Sequence, residues 1–209
     1  MGETYAFFYG TLMHPKILER VIKNDGSHLA VCPAALMDHT RHKVKNEDYP
    51  GLIPYVQGRT LCNRELSPEE KSVRGTLVKG LTEKDMKLLD FFEGPEYIRK
   101  GVDVHPLGPM IKLSEYGSDK ESLIPSIPPP LPIAIDNSPI IHAETYIYDQ
   151  FRNLDAELWS FETFVKNNAR KWYGGERDDD DNGTEVGRRR AELEGEAALA
   201  KFLEESARA

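Results

Sequence analysis

The sequence predicts an α+β fold, because segments with the pattern of β-strands are interspersed along the chain with segments that have the pattern of helices. Val73–Val78 and Tyr97–Val104 alternate in the way expected for a strand with one buried face. By contrast, residues 83–93 carry apolar side chains at helical spacing and stop at a Gly-Pro pair. The length of 209 residues fits one such domain with additions, or one domain and a tail.

Composition and charge exclude several classes of function. The formal net charge is −8 and the pI is near 5.3, which argues against a nucleic-acid-binding surface and against a polybasic membrane patch. Two cysteines, Cys32 and Cys62, are too few to cross-link a secreted scaffold and indicate a reducing compartment. The sequence has no apolar window of about eighteen residues and no secretion signal at its N-terminus. We therefore expect a cytoplasmic protein that binds neither membrane nor nucleic acid, with a monomer favoured.

The N-terminal segment predicts a strand, a tight turn and then a helix. Tyr5–Phe8 is aromatic and apolar, as a buried strand should be, and Gly10 interrupts it. Because glycine has no Cβ, the backbone at Gly10 can take a positive φ or come close to a ligand. Pro15 suits the first turn of a helix, and the apolar residues within 17–22 form one face of it. Free N–H groups at such a turn can bind an anion, although a plain strand and turn would look the same.

Two features in the next segment could carry metal or nucleophile chemistry, but each has a more ordinary explanation. His39 and His42 lie three residues apart with no third ligand nearby, so a charged strand edge is favoured over a metal site. Cys32 lies within the apolar segment 29–37, where a thiol packed in the core is favoured over a Cys32–His39 nucleophile. Pro33 indicates that this segment is an edge strand or contains a bulge.

The helix predicted after Thr82 ends in a carboxylate on its apolar face. Thr82 and Asp85 have the spacing of a capping box. Met86, Leu89 and Glu93 follow the spacing i, i+3, i+7 and therefore share one side of the helix. Burial and the negative end of the helix dipole would both raise the pKa of the Glu93 carboxyl, which would make it a usable general base. From the spacing alone, a Glu93 that turns out to solvent is an equal alternative.

The second half of the chain contains a predicted insertion and a predicted tail. Residues 105–140 hold eight prolines and predict an insertion, either mobile or a lid; an SH3-type ligand is the alternative. Ile141–Tyr148 then predicts a strand, and residues 155–169 have the best amphipathic helix pattern in the chain. Residues 174–209 predict an acidic linker and a charged helix, which we expect to lie on its own domain rather than to mediate oligomerisation. The predicted domain therefore spans residues 1–173.

An ordered set of motifs resembles the gamma-glutamylcyclotransferase superfamily. The two main motifs are Tyr9-Gly10-Thr11-Leu12 and, about eighty residues later, Leu89-Asp90-Phe91-Phe92-Glu93-Gly94 with Tyr97. Three further segments also resemble segments of that superfamily: Tyr49-Pro50-Gly51, Val73–Leu77 and Glu144-Thr145-Tyr146. The closest resemblance is to the AIG2-like branch, which includes gamma-glutamylamine cyclotransferase. It covers residues 4–173 apart from the insertion.

The resemblance implies both a fold and a set of site residues. The implied fold is a small β-barrel of mixed or antiparallel strands, closed or nearly closed, with flanking helices. Glu93 matches the catalytic glutamate of the family. The residues implied to bind a glutamyl head group are Tyr9, Gly10, Thr11, Leu12 and Tyr97. The implied reaction needs no metal and no cofactor, because the substrate supplies its own nucleophile. The insertion and the charged tail are unlike compact members of the family, so they leave substrate choice and access open.

The sequence thus predicts an enzyme that converts a γ-glutamyl amine or a γ-glutamyl peptide to 5-oxoproline and a free amine. Glu93 is the expected general base and acid, and the backbone at Tyr9–Leu12 is expected to hold the small substrate. The alternative is a non-catalytic module on the same barrel that binds a small ligand or a protein, because a fold does not fix a function. The retained Glu93 favours the enzyme.

Removal of residues 176–209 should leave a folded domain, because the acidic linker separates these residues from the last predicted core helix. Denaturant unfolding of the truncated chain should remain one cooperative transition, with a midpoint close to that of the full chain. A broad, non-cooperative transition after truncation would show that the tail is part of the core.

Overall fold

The structure is a computed structural model, and it describes residues 4–116, 128–132 and 138–173. The predicted linker and helix at 174–209 lie outside these residues, as do residues 117–127 and 133–137 of the predicted insertion. No helix within the described ranges has both the length and the apolar character that crossing a bilayer requires.

Strands and helices are interspersed along the described chain. In order, the elements are β1 (Tyr5–Phe8), α1 (Pro15–Ile22), β2 (Ala30–Met37), β3 (His39–Val44), β4 (Pro50–Pro54), α2 (Tyr55–Cys62), β5 (Ser72–Lys79), α3 (Glu83–Glu93), β6 (Tyr97–Pro106), β7 (Ile111–Lys112), β8 (Ile141–Tyr148), β9 (Leu154–Leu158), α4 (Phe161–Asn167) and α5 (Ala169–Tyr173). Short 3₁₀ turns lie at Thr11–Met13, Leu113–Tyr116 and Phe151–Asn153.

Five of the strands close into a barrel, so the predicted α+β class and the closed barrel are confirmed. The strands are hydrogen-bonded in the order β5-β1-β8-β6-β2, and β2 pairs back to β5 over its full length. The contact between β1 and β8 is parallel, and the other four contacts are antiparallel. Closure leaves no unpaired edge among these five strands, which keeps the backbone polar groups of the barrel satisfied.

Alternating side chains along the barrel strands fill two separate cores. On β1, Phe7 packs with buried side chains of β2, β5, β6 and β8, whereas Ala6 and Phe8 belong to a second cluster with the helices. The members of that second cluster that lie on helices are Ile17, Leu18, Val21, Ile22, Met86, Leu89, Phe92, Phe161, Phe164, Ala169 and Trp172. The apolar face predicted for α1 is therefore confirmed as a packing face.

A second, three-stranded sheet corrects the helix predicted at residues 155–169. The first part of that segment is strand β9, which pairs with β3 through Leu154 opposite Val44 and Leu158 opposite His42. Helix α4 begins only after Ser160, whose hydroxyl accepts a hydrogen bond from Thr163 N at 3.2 Å. A four-residue spacing fits one face of a helix and one face of a strand equally well, and the distant partner β3 decides between them.

The structure also corrects the edge-strand alternative for Pro33 and the start of the predicted insertion. This residue does not lie on an edge strand, because β2 pairs with β5 on one side and with β6 and β7 on the other. The carbonyl of Pro33 accepts from Leu107 N at 2.8 Å, in the gap between the β6 and β7 pairings, so its missing N–H removes no bond of either ladder. Because β6 runs to Pro106 and Ile111–Lys112 forms β7, the first residues of the predicted insertion belong to the sheet.

Helix α3 begins with the capping box that the sequence predicts. Thr82 Oγ1 accepts from Asp85 N at 3.1 Å, and Asp85 Oδ2 accepts from Thr82 N at 2.9 Å. The buried Asp85 carboxylate also accepts from Asn24 Nδ2 at 2.9 Å and lies 3.2 Å from His28 Nε2. Although burial alone would raise the pKa of Asp85, hydrogen bonds from Thr82, His28 and Asn24 hold that pKa below its ordinary value. This carboxylate joins the start of α3 to the loop that follows α1.

Substitution Thr82→Ala should destabilise the protein by about 1 kcal/mol, because it removes the hydroxyl that accepts the Asp85 N–H. Thr82→Ser keeps that acceptor and is the matched control. The free energy of unfolding from urea titration measures both. Equal stability of the alanine and serine variants would show that the cap contributes nothing.

Candidate active site

The segments that carry the two predicted motifs meet in one small cavity. Its lining comes from the segment after β1, the end of α3, and side chains on or beside β4, β6, β8 and α5. The lining residues are Phe8, Tyr9, Gly10, Thr11, Leu12, Tyr49, Pro50, Phe92, Glu93, Tyr97, Tyr146 and Trp172. All six residues that the sequence analysis assigns to a site therefore lie in its wall, although the two motifs are about eighty residues apart.

The turn after β1 lines the cavity, and its own hydrogen bonds leave some of its backbone N–H groups unused. Met13 N donates to Gly10 O and His14 N donates to Thr11 O, each at 3.0 Å. These two bonds use carbonyl groups of the turn, whereas the N–H groups of Gly10, Thr11 and Leu12 donate in neither. The first N–H groups of a helical turn have no partner within it, so they are available to a ligand.

Gly10 is required by the close approach of the chain at β4. A Cβ on this residue would lie 2.9 Å from Pro50 Cγ, which is too close for a side chain of any kind. The φ angle of Gly10 is −121°, so the positive φ considered from the sequence is not adopted. The close neighbour of Gly10 in the structure is thus a proline of the protein itself.

The side chain of Tyr9 belongs to the barrel rather than to the cavity chemistry. Its hydroxyl donates to Tyr146 O at 2.6 Å, and the residue is buried. Burial raises the pKa of Tyr9 well above its ordinary value, and the negative charge of Glu93 is the next largest cause of that shift. The phenol is therefore neutral. Any contact of Tyr9 with a substrate would therefore come from its backbone.

Glu93 is the last residue of α3 and follows two buried residues on the same side of the helix. Met86 and Leu89 pack in the helix core, and the partly buried Glu93 one turn further lines the cavity. The helix stops there because Gly94 takes φ 72°, a conformation that favours glycine, and its N–H donates to Asp90 O at 3.2 Å. The structure thus places Glu93 in the cavity wall and not in full exposure to solvent.

Tyr146 is a cavity residue to which the sequence analysis gives no role. Its hydroxyl donates to Asp90 Oδ1 at 2.8 Å, and Asp90 in turn lies 3.2 Å from Arg99 Nε. Burial, followed by the bond to Asp90 and the charge of Glu93, raises the pKa of the Tyr146 phenol. The one signal in the sequence is the Glu144-Thr145-Tyr146 segment, which resembles the family but reveals no function of the tyrosine.

Aromatic side chains from distant parts of the chain line the cavity. Trp172 Nε1 donates to Asp48 Oδ2 at 3.2 Å, and the indole meets the ring of Phe92 edge-on, with centroids 5.9 Å apart. Tyr97 Oη donates to Pro50 O at 2.8 Å. The cavity is partly open to solvent, and its volume of about 20 Å³ is the room of about one water molecule. A glutamyl group would enter only if part of this wall moves.

The sequence of this domain matches a known family. Residues 6–123, more than half of the chain, match the family described as gamma-glutamyl cyclotransferase, AIG2-like. The chain belongs to this family. AIG2-like protein C of Arabidopsis thaliana is 31% identical over 98 residues, which are 47% of this chain and 48% of that protein. AIG2-like protein D of the same plant is 30% identical over 99 residues, which are 47% of this chain and 55% of that protein. The match thus spans about half the length of the curated relatives.

Two solved structures can be set beside this member of the AIG2-like family. A solution structure of an Arabidopsis thaliana protein has a TM-score of 0.48 and 19% identity, and the likeness covers 82% of this chain and 78% of that one. A gamma-glutamyl cyclotransferase specific to glutathione from yeast has a TM-score of 0.46 and 16% identity, covering 79% and 76%. The barrel assignment itself rests on the strand pairings.

The metal and cysteine alternatives have little support in this family member. His39 Nδ1 lies 2.8 Å from Met37 O, and the buried His42 ring lies 3.0 Å from both Thr40 Oγ1 and Asp155 O. In the ranges that the structure describes, no three His, Cys, Asp or Glu side chains are grouped so that they could hold a metal. Burial raises the pKa of the Cys32 thiol to about 11, as expected for a cysteine packed in the core.

Substitution Tyr97→Phe should lower the free energy of unfolding by about 1 kcal/mol, because it removes the hydrogen bond to Pro50 O while keeping the ring. Tyr5→Phe is the control, since the Tyr5 hydroxyl makes no hydrogen bond to a described residue. Urea titration of both variants measures the difference. If both lose the same stability, the Tyr97 hydroxyl does not hold the cavity wall.

Proposed function

We propose that this chain is a gamma-glutamylcyclotransferase that acts on a γ-glutamyl amine or a γ-glutamyl peptide and releases 5-oxoproline and a free amine. One observation carries the proposal: Glu93 and the residues of the Gly10–Leu12 turn line the same cavity. A base and a set of fixed donors are the two components that this intramolecular acyl transfer needs. Membership of the gamma-glutamyl cyclotransferase family supports the same conclusion.

The substrate brings its own nucleophile. Its α-amino group is largely protonated at neutral pH, since such groups titrate near about 8. Glu93 removes one proton, and the neutral amine attacks the γ-carbonyl carbon to close a five-membered ring. The bond from that carbon to the leaving nitrogen then breaks, and Glu93 returns its proton to the departing nitrogen. The ring nitrogen loses a second proton that ends on the released amine, so atoms and charges balance without a further reactant.

The backbone of the turn supplies the electrostatic stabilisation in this proposal. Negative charge develops on the γ-carbonyl oxygen during ring closure, and the substrate also carries an α-carboxylate. The N–H groups of Gly10, Thr11 and Leu12 can donate to one of these groups, because fixed donors in a partly desolvated site stabilise such charge strongly. Tyr97 completes the proposed substrate contacts as part of the aromatic wall.

The proposed reaction is independent of metals and cofactors. It belongs to the transferase or acyltransferase class, or to the lyase class. The small γ-glutamyl compound is the partner, and a monomer is expected to suffice. A cytoplasmic location is supported by the two cysteines of the chain, Cys32 and Cys62, which are both unpaired.

A second candidate function is a non-catalytic module that binds a small ligand or a protein. The observation that favours it is that the cavity with Glu93 has a volume of only about 20 Å³, whereas a separate cavity of about 540 Å³, which Glu93 does not line, has room for a small ligand. The two candidates separate on one measurement, the release of 5-oxoproline from a panel of γ-glutamyl amines and peptides. Release of 5-oxoproline from any member supports the enzyme, and a panel without turnover supports the binding module.

Substitution Glu93→Gln should keep the fold and reduce turnover by a factor of about 10²–10⁴, the usual contribution of a positioned general base. Substrate binding should suffer less than turnover, since backbone donors hold the head group. Glu93→Asp should also lose activity, because shortening the side chain withdraws the base from the amine. The kcat and KM for the best substrate of the panel measure these effects.

Asp90→Asn is the matched control for that series. It keeps an oxygen that can accept from the Tyr146 hydroxyl and removes only the partly exposed ion pair with Arg99. Its loss of turnover should therefore be much smaller. A Glu93→Gln variant with wild-type turnover would show that the base is another residue.

A further inference from the structure

Arg41 reaches from strand β3 to the turn that follows β1. Its Nη1 atom donates to Tyr9 O at 2.5 Å, and the same atom lies 3.3 Å from Arg74 O. The guanidinium carbon lies 4.9 Å from the ring centre of Trp159, so the group is also held over an aromatic face. Three separate elements of the fold therefore fix the position of this side chain.

Arg41 stays charged in this position. Burial lowers its pKa to about 10, and the negative charge of Glu162 partly opposes that shift. A group with that pKa is protonated at neutral pH. None of the ion pairs among the described residues includes Arg41. Its Nη1 atom donates to the backbone carbonyls of Tyr9 and Arg74, with a longer contact of 3.9 Å to Met13 Sδ, and hydrogen bonds from a charged group are stronger than those between neutral groups.

The two sides of the turn face different cavities. Arg41 lines a larger cavity of about 540 Å³, which does not include Glu93, Tyr9 or Gly10. Tyr9 and Gly10 line the small cavity with Glu93, and Leu12 lines both. The segment from Tyr9 to Leu12 is thus a partition between the two spaces.

The peptide that joins Tyr9 to Gly10 has a defined direction as a result. The described chain contains no cis peptide, and in a trans peptide the C=O and N–H groups point to opposite sides. Because the Tyr9 carbonyl accepts from Arg41, the Gly10 N–H points away from Arg41. A peptide before glycine rotates more easily than others, since glycine tolerates φ values that other residues avoid.

We propose that Arg41 is a positioning residue: it holds the Tyr9–Gly10 peptide so that the Gly10 N–H, and not the Tyr9 carbonyl, faces the substrate. This inference rests on the proposed function. If the peptide rotated, a carbonyl oxygen would face the negative charge of the substrate, and a stabilising contact would become a repulsive one. Arg41 itself touches no reacting atom in this account.

The test compares Arg41→Met with Arg74→Met, which removes a cation from the wall of the same large cavity without removing a donor to Tyr9 O. Arg41→Met should lower kcat/KM by about 10- to 100-fold, the range expected when a donor is lost or misplaced. Arg41→Lys keeps a charged donor and should recover part of this loss. The kcat/KM of Arg74→Met should stay within a few-fold of the wild-type value, because the Arg74 side chain does not line the cavity that contains Glu93.

A binding measurement separates this inference from the proposed function. The probe is 5-oxoproline, titrated into ¹⁵N-labelled protein while the amide resonance of Gly10 is followed. The resonance should shift in the wild type and in Arg74→Met and should not shift in Arg41→Met. That pattern supports the inference even if the panel of γ-glutamyl compounds shows no turnover.

Two results would overturn the inference. One is a Gly10 amide resonance of the wild type that does not shift when 5-oxoproline is added, whether or not the protein shows turnover. The other is an Arg41→Met variant with wild-type kcat/KM and a wild-type Gly10 shift, which would leave the proposed function intact. If Arg41→Met does not fold, Arg41→Gln takes its place, since its shorter, uncharged side chain loses the charge-assisted hydrogen bond to Tyr9 O. Wild-type values of kcat/KM and of the Gly10 shift in that variant would overturn the inference equally.

Discussion

The pairing of β2 with β5 closes the barrel, and the position of the candidate site depends on that closure. Once the ring is closed, the short strand β1 is held between β5 and β8, with Phe7 in the barrel and Phe8 against the helices. The chain therefore leaves the sheet at a fixed point and in a fixed direction. The turn from Gly10 to Leu12 begins there, so its backbone donors inherit their orientation from the barrel.

Three contacts from other elements then hold the turn. Pro50 packs against Gly10, the Tyr9 hydroxyl donates to the backbone of β8, and Arg41 donates to the Tyr9 carbonyl. On the opposite side of the cavity, α3 is anchored at its first residues by the Asp85 carboxylate and carries Glu93 at its last. A helix is nearly rigid over eleven residues, so an anchor at one end determines where the other end lies.

The electrostatic character of the cavity follows from which groups can ionise there. The phenols of Tyr9 and Tyr146 are kept neutral by burial and by the charge of Glu93, so the carboxylate is not crowded by further negative charge from them. Positive character comes from the partial charges of backbone N–H groups at the turn. Such donors need no side-chain reorganisation, which is why a short buried segment can serve a reaction in which charge develops on one oxygen.

The sequence by itself determined the elements whose signals are local. The capping box at Thr82, the stop at Gly94, the apolar side of α3 that ends in Glu93, and the strand–turn–helix around Gly10 all depend on residues close together in the chain. Tertiary structure decided the rest, because the deciding partners lie far away in sequence. Strand β9 exists because β3 pairs with it, and Trp172 enters the cavity wall only when α5 packs against α3. The direction of the Gly10 N–H depends on the hydrogen bond from Arg41 to Tyr9 O. No pattern in the sequence predicts a contact between these two residues.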